Sequence, residues 1–330
     1  MNGQFVYLPN LVGYLNCSGM NELGVVGGGG LWNTRAMEYK GGKMMIRVAF
    51  IPPIKFLSLS HYGDMYMILA PLCEYSQYIQ FFRSVKGYKI LDNGAYELEE
   101  KGVGLSFERV INLALKVDAD EIVLTDYVYD SNRTLEAVKE CVNLVKKRNL
   151  VNKFRLHAVP QGSSVEECLT CFNSLMEMDE IDVIGLSKLS VPYIFYGNTK
   201  TPGYIANSRK EILKKIVNNK NYEICAKGIR LKGKKKWKKI HLLGAGPWLA
   251  YELSILKKYS FIRSVDTSMP IWYGIHGLKI DYNTGTINKI LKKVNLLYMN
   301  NISYEQISTI MHNIAVILKY RCHQRGDCNG

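Results

Sequence analysis

Residues 121–162 read EIVLTDYVYDSNRTLEAVKECVNLVKKRNLVNKFRLHAVPQG. Residues 121–125 form a short run of β-branched and aliphatic residues with little polar alternation, the signature of a strand covered on both faces. Residues 132–147 follow, with Leu135, Val138, Val142 and Val145 on one stripe at helical spacing. The apolar run at 154–159 then closes a strand–helix–strand unit, which requires a parallel pair joined by a right-handed crossover.

The same rhythm extends in both directions. Further strands are expected at 45–51, 56–60, 88–91, 181–185, 240–244 and 262–265. Helices are expected at 106–117, 164–177, 207–217, 247–258 and 302–320. About eight strands alternating with helices predict a closed (β/α)₈ barrel, a TIM barrel, within a single domain spanning 1–330. Two segments stand outside the rhythm. Residues 1–44 are rich in Gly and Asn, with four consecutive glycines at 27–30, and read as loops. A phosphate cradle is the weaker reading of those glycines, because no Lys-Ser/Thr follows them. Residues 193–239 form an insertion that ends in a lysine-rich run, in which Lys234, Lys235 and Lys236 precede Trp237.

The chain holds 43 Lys plus Arg against 29 Asp plus Glu, a net charge of +14. That excess favours a polyanionic partner, chiefly nucleic acid, although a lysine-rich proteome gives the same balance. The lysine run with Trp237 is a candidate phosphate-and-stacking surface, or else a solvated basic loop. The eight cysteines are scattered, which suits reduced thiols. No apolar run is long enough to span a bilayer, and the first residues lack a basic-then-apolar leader. A cytoplasmic location is therefore expected.

In a parallel barrel the chemistry lies at the C-terminal ends of the strands. The residues that end the apolar runs are Asp92 with Asn93 and Gly94, Asp126, Gln161 with Gly162, Gly185, Gly244 with Ala245 and Gly246, and Asp266. Each has an ordinary alternative: a turn for Asp-Asn-Gly, a helix cap for Asp126, a tight turn for Gly-Ala-Gly. Three carboxylates around one mouth suit glycosidic chemistry. One attacks an anomeric carbon, another moves the proton of the leaving and entering groups, and a third reads a base with adjacent N–H donors. Residue types alone leave open which acid does what.

The order of these motifs resembles the tRNA-guanine transglycosylase superfamily. Asp92-Asn93-Gly94-Ala95-Tyr96 is similar to the family's Asp-Ser-Gly-Gly-Phe, and Thr125-Asp126 to its guanine-reading segment. Val159-Pro160-Gln161-Gly162 is similar to Val-Gln-Gly, and Ile184-Gly185-Leu186 to the Gly-Gly-Leu turn. His241 through Gly246 resembles His-Tyr-Leu-Met-Gly-Val-Gly with one residue fewer. Val265-Asp266-Thr267-Ser268-Met269-Pro270 is similar to Phe-Asp-Cys-Val-X-Pro. The resemblance implies Asp266 as nucleophile and Asp92 as general acid/base. Asp126, Gln161, Asn93, Gly244 and the backbone of Gly185 and Leu186 would hold the base.

His312-Asn313-Ile314 resembles the family's His-Asn-Leu, but the zinc-binding cysteines that go with it are missing between 267 and 311. No metal is expected, His312 reads as a packing or hydrogen-bonding residue, and Cys322, His323 and Cys328 fit no ligand pattern. Cys168 and Cys171 read as helix-face residues.

The short, zinc-less pattern is most like the phage and bacterial branch that places a 7-deazaguanine in DNA. The implied reaction exchanges guanine for a free base such as 7-cyano-7-deazaguanine, without a cofactor. A tRNA substrate is the alternative. A barrel enzyme for a small phosphorylated metabolite and a non-catalytic nucleic-acid-binding protein are the readings from other classes.

Overall fold

The β-branched runs pair as the crossover rule requires. In the computed structural model, which describes residues 45–94, 105–198, 201, 203–289, 291, 295–297 and 301–321, eight strands form one parallel sheet. They are β1 (Arg47–Phe50), β2 (Tyr66–Leu69), β3 (Lys89–Asp92), β4 (Glu121–Val123), β5 (Arg155–Ala158), β6 (Ile181–Ser187), β9 (Lys239–Leu243) and β10 (Ile262–Thr267). The order β1-β10-β9-β6-β5-β4-β3-β2 follows the chain around a nearly closed ring. This is the (β/α)₈ architecture. The unit that carries the barrel begins at Lys43; the N-terminal segment 1–44, its glycine run included, lies outside the described residues.

The remaining seam, between β1 and β2, is bridged by Asp64. Its N–H donates to the Val48 carbonyl at 2.8 Å, and its carboxylate accepts from the Val48 N–H at 3.0 Å. Arg321 pairs with the same carboxylate. Gly63, beside it, leaves room for this approach, since a Cβ there would lie 2.7 Å from the Val48 carbonyl oxygen.

The helices are α1 (Ser76–Ser84), α2 (Phe107–Val117), α3 (Ser131–Lys147), α4 (Val165–Glu177), α5 (Ser190–Tyr196), α6 (Tyr204–Val217), α7 (Leu249–Leu256), α8 (Met269–Ile275) and α9 (Tyr304–Tyr320). Their starts are written in polar caps. Asp130 accepts from the Arg133 N–H, Ser164 from the Glu167 N–H, and Ser303 with Gln306 forms a capping box. On α3 the buried stripe includes Ala137, Val138, Cys141, Val142 and Val145, of which the last four join the hydrophobic core.

One expectation needs correction, and several elements were not expected. Residues 56–60 are not a strand but part of a 3₁₀ helix, Ile54–Tyr62, and the second strand lies further on at β2. Pro53, with φ fixed and no N–H to lose, opens that helix, and Ile54, Leu57 and Ser60 are buried at its period of three. The insertion holds the expected helix, 207–217, within α6 and further elements besides. It contains α5, α6 and an antiparallel hairpin of β7 (Tyr222–Cys225) and β8 (Gly228–Leu231), whose Ile229 bridges to Lys238. Finally, α1, α5 and α8 are helices at positions where none was expected. No helix among the described residues is long and apolar enough to cross a membrane.

Candidate active site

Asp266 is the penultimate residue of β10 and is buried, with its side chain turned toward β9. Two donors meet one of its oxygens. His241 Nε2 is 3.0 Å from Oδ1, and the Gly244 N–H donates to the same Oδ1 at 2.7 Å. Burial alone would raise the Asp266 pKa. The bond and field of His241, the Gly244 N–H and the nearby Lys188 ammonium outweigh burial and hold it below the ordinary aspartate value. Burial also pushes His241 down to about 4, against the pull of Asp266.

Behind each donor stands a buried Arg–Glu pair. His241 Nδ1 lies 2.8 Å from Ser264 Oγ, which is 3.0 Å from Arg263 Nε. Arg263 then forms a fork to Glu121 at 2.7 and 2.9 Å. Glu121 is fully buried at the start of β4 and also accepts from the Tyr88 hydroxyl at 2.6 Å, with His157 Nδ1 at 3.0 Å. Burial opposes its charge, but Arg263 and His157 hold it well below the carboxylate range. On the other side, Arg209 of α6 is fully buried and bonds Glu252 at 3.0 Å. Its Nη2 donates to the carbonyls of Leu186, Leu243 and Gly244 at 2.6, 2.7 and 2.8 Å. This guanidinium ties the end of β6 to the turn after β9, and so fixes the Gly244 N–H that faces Asp266.

Asp126 follows β4 and is held by two amides. Asn93 Nδ2 donates to Oδ1 at 3.1 Å and Gln161 Nε2 to Oδ2 at 2.6 Å. Asn93 also donates to the Leu124 carbonyl, and Gln161 Oε1 accepts from the Tyr129 N–H at 3.3 Å. Tyr129 takes a left-handed backbone, φ 68°, to make that bond. Asn93 and Gln161 are both buried, so the two amides orient Asp126. Burial raises the Asp126 pKa, and those two donors only partly offset it. Asp92 ends β3, beside Asn93, with its Oδ1 3.5 Å from the Gly94 N–H. Ala95 and Tyr96 of the same motif lie outside the described residues.

Gly185 and Leu186 are placed differently from the expected turn. Strand β6 continues to Ser187, so both are extended residues paired with His241 and Leu242. Gly185 is required by packing: a Cβ there would lie 2.5 Å from His157 Nε2, a ring that fills the space of the missing side chain. Gly244 is the residue that forms a turn, at φ 68°.

The lysine run is not at this mouth. It precedes β9, on the side where the strands begin, and it closes the C-terminal end of α4. Lys234 donates to the Glu177 carbonyl, Lys236 to those of Asp179 and Glu180, and Lys238 to those of Leu175 and Met178. Lys236 also pairs with Asp182 at 2.9 Å. Ammonium groups satisfy the orphan carbonyls and favour that end of the helix dipole. Lys235 is exposed, and Trp237 is covered on one face by Arg230, 4.3 Å from the ring centre. A phosphate-and-stacking surface on this run would lie away from the mouth, and Lys234, Lys236 and Lys238 also serve as donors to helix-end carbonyls. Replacing Lys234, Lys235 and Lys236 by Ala is expected to lower thermal stability by about 1–2 kcal/mol through lost caps. The salt dependence of nucleic-acid binding should stay unchanged; a flatter salt slope would restore the run to the interface.

His312 Nε2 donates to the Ile280 carbonyl at 2.8 Å. Asn313 bonds Pro270, Leu278 and Ile280, so this pair fastens the segment after α8. Among the described residues no three His, Cys, Asp or Glu side chains are grouped to hold a metal ion; Cys322, His323 and Cys328 lie outside them. Cys168 and Cys171 are buried on α4, and burial pushes their thiols up to about 12 and about 11.

Of the groups around Asp266, the sequence assigns no role to His241, although it opens a quoted motif, and does not single out Ser264, Arg263, Glu121 or Arg209. The available signal was charge inside apolar runs, namely Glu121 opening EIV and Arg263 within IRSV, where an unpaired charge is prohibitive. No protein-family model matches the chain, and no curated protein shows significant sequence similarity to it.

Proposed function

We propose that the protein is a base-exchanging transglycosylase acting on a guanine in nucleic acid, with DNA as the substrate and a free 7-deazaguanine as the entering base. The observation that carries this reading is Asp266. It is a buried carboxylate at the C-terminal end of a barrel strand, held in the charged form by two donors on a single oxygen. Such a group suits attack on an anomeric carbon. Asp126, with both oxygens oriented by amides, suits recognition of adjacent N–H groups on a purine edge. The resemblance of the motif order supports the same assignment.

In this mechanism the target guanine leaves the base stack and enters the mouth. Asp266 attacks C1′ of the sugar, the C1′–N9 bond breaks, and Asp92 delivers a proton to the departing guanine. The entering base gives a proton to Asp92, and its N9 displaces Asp266 from C1′. Asp126, positioned by Asn93 and Gln161, reads the Watson–Crick edge that guanine and the 7-deazaguanine share.

An enzyme for a phosphorylated metabolite would hold phosphate on the turn Gly244-Ala245-Gly246, whose Gly244 N–H is engaged with Asp266. The test is transfer of labelled guanine or 7-cyano-7-deazaguanine into acid-precipitable DNA or tRNA, offered separately. Label in DNA is the expected result. Label in tRNA alone would move the activity to tRNA, and label in neither would overturn the proposal.

A further inference from the structure

Hydrogen-bond chemistry fixes the proton positions along the chain of groups behind Asp266. A guanidinium is donor-only, so Arg263 Nε–H must donate to Ser264 Oγ. Ser264 Oγ could accept a second bond, but it is buried, and among the described residues its own proton has no acceptor other than His241 Nδ1, 2.8 Å away, so it is donated there. Nδ1 is then an acceptor without a proton, and the imidazole proton sits on Nε2, aimed at Asp266 Oδ1. Glu121 prevents the sequence from reversing. It holds Arg263 through two parallel bonds, and a tyrosine hydroxyl occupies the same carboxylate.

We propose that His241 is a positioning residue for Asp266, locked as the Nε2–H tautomer by Ser264, Arg263 and Glu121. This rests on the assignment of Asp266 as nucleophile and says how that nucleophile is prepared. A neutral donor orients the carboxylate without the full positive charge of an imidazolium, which would lower its nucleophilicity. Among the described residues, both hydrogen bonds to Asp266 fall on Oδ1, so Oδ2 is the oxygen that attacks. The depressed His241 pKa agrees with this state.

The experiment is nitrogen NMR of the full chain labelled in histidine, with His241 assigned by loss of its signals in His241→Gln. The expected spectrum has a protonated Nε2 and an unprotonated Nδ1, with no titration across about pH 6 to 8. A proton on Nδ1, or on both nitrogens at neutral pH, overturns the proposal in the wild-type protein alone. In Ser264→Ala the tautomers should mix, and in Ser264→Thr the Nε2–H form should return. Unchanged tautomer signals in Ser264→Ala also overturn it.

In the exchange assay, Ser264→Ala is expected to lose about tenfold in kcat with KM unchanged, and Ser264→Thr to recover it. If no exchange is found for the wild type while the NMR result is as expected, the proposed function fails and the tautomer lock stands. An Nδ1–H form with normal exchange has the opposite meaning.

Discussion

Asp266→Asn is expected to cut base exchange by at least about 10³-fold while leaving the fold intact, because an amide cannot form the glycosyl ester but keeps the carboxylate's shape. The asparagine oxygen can still accept from His241 and Gly244, so the surrounding turn has no cause to move. Stability supplies a second measurement. Folding holds Asp266 below its ordinary pKa. It therefore adds stability that is fully present above the unfolded value of about 3.9 and is lost as pH falls through the lower folded value. Thermal melting of the variant between neutral and acid pH should lack that component of the slope. Near-normal exchange in Asp266→Asn would remove the nucleophile assignment and with it the transglycosylase reading.

The fold was legible because buried parallel strands and amphipathic helices leave different periods in the sequence. Six of the eight expected strands coincide with barrel strands along β3 to β6, β9 and β10, and 45–51 contains β1. The exception is instructive. Phe56, Leu57 and Leu59 look like an apolar run, yet Pro53 and the burial of every third residue make a 3₁₀ helix. Strand β2 follows that helix at Tyr66–Leu69.

At the site, the residues that end strands were legible because their polarity interrupts apolar runs. Their supporting partners were not. Glu121 and Arg263 are 142 residues apart in sequence, and only the closing of the ring brings them within hydrogen-bond distance. Arg209 is similar: its position on α6 looks like one more surface cation, and the carbonyls it ties together belong to two other elements. The lysine run shows the limit from the other side. A dense local charge signal says nothing about which end of the barrel it occupies, and here its partners are the carbonyls that end α4.

The second large effect concerns stability and concerns Glu121. Removing it by Glu121→Ala leaves the Arg263 guanidinium buried and unpaired and strips the Tyr88 hydroxyl of its acceptor. Breaking one side of such a pair costs about 3–5 kcal/mol, a large part of the roughly 5–15 kcal/mol that holds a domain folded. The variant should melt far below the wild type, or be insoluble. The double variant Glu121→Leu/Arg263→Met is expected to behave differently, since apolar side chains of similar volume avoid the desolvation of both charges. Urea unfolding should place it within about 1–2 kcal/mol of the wild type.

Base exchange should nonetheless fall about tenfold in the double variant, because the donor that commits the Ser264 proton to His241 is gone. Recovery of stability without recovery of exchange would show that this ion pair is kept for the proton order at Asp266. If the double variant is as unstable as Glu121→Ala, the pair is a stability element of the barrel floor, and its link to the carboxylate fails.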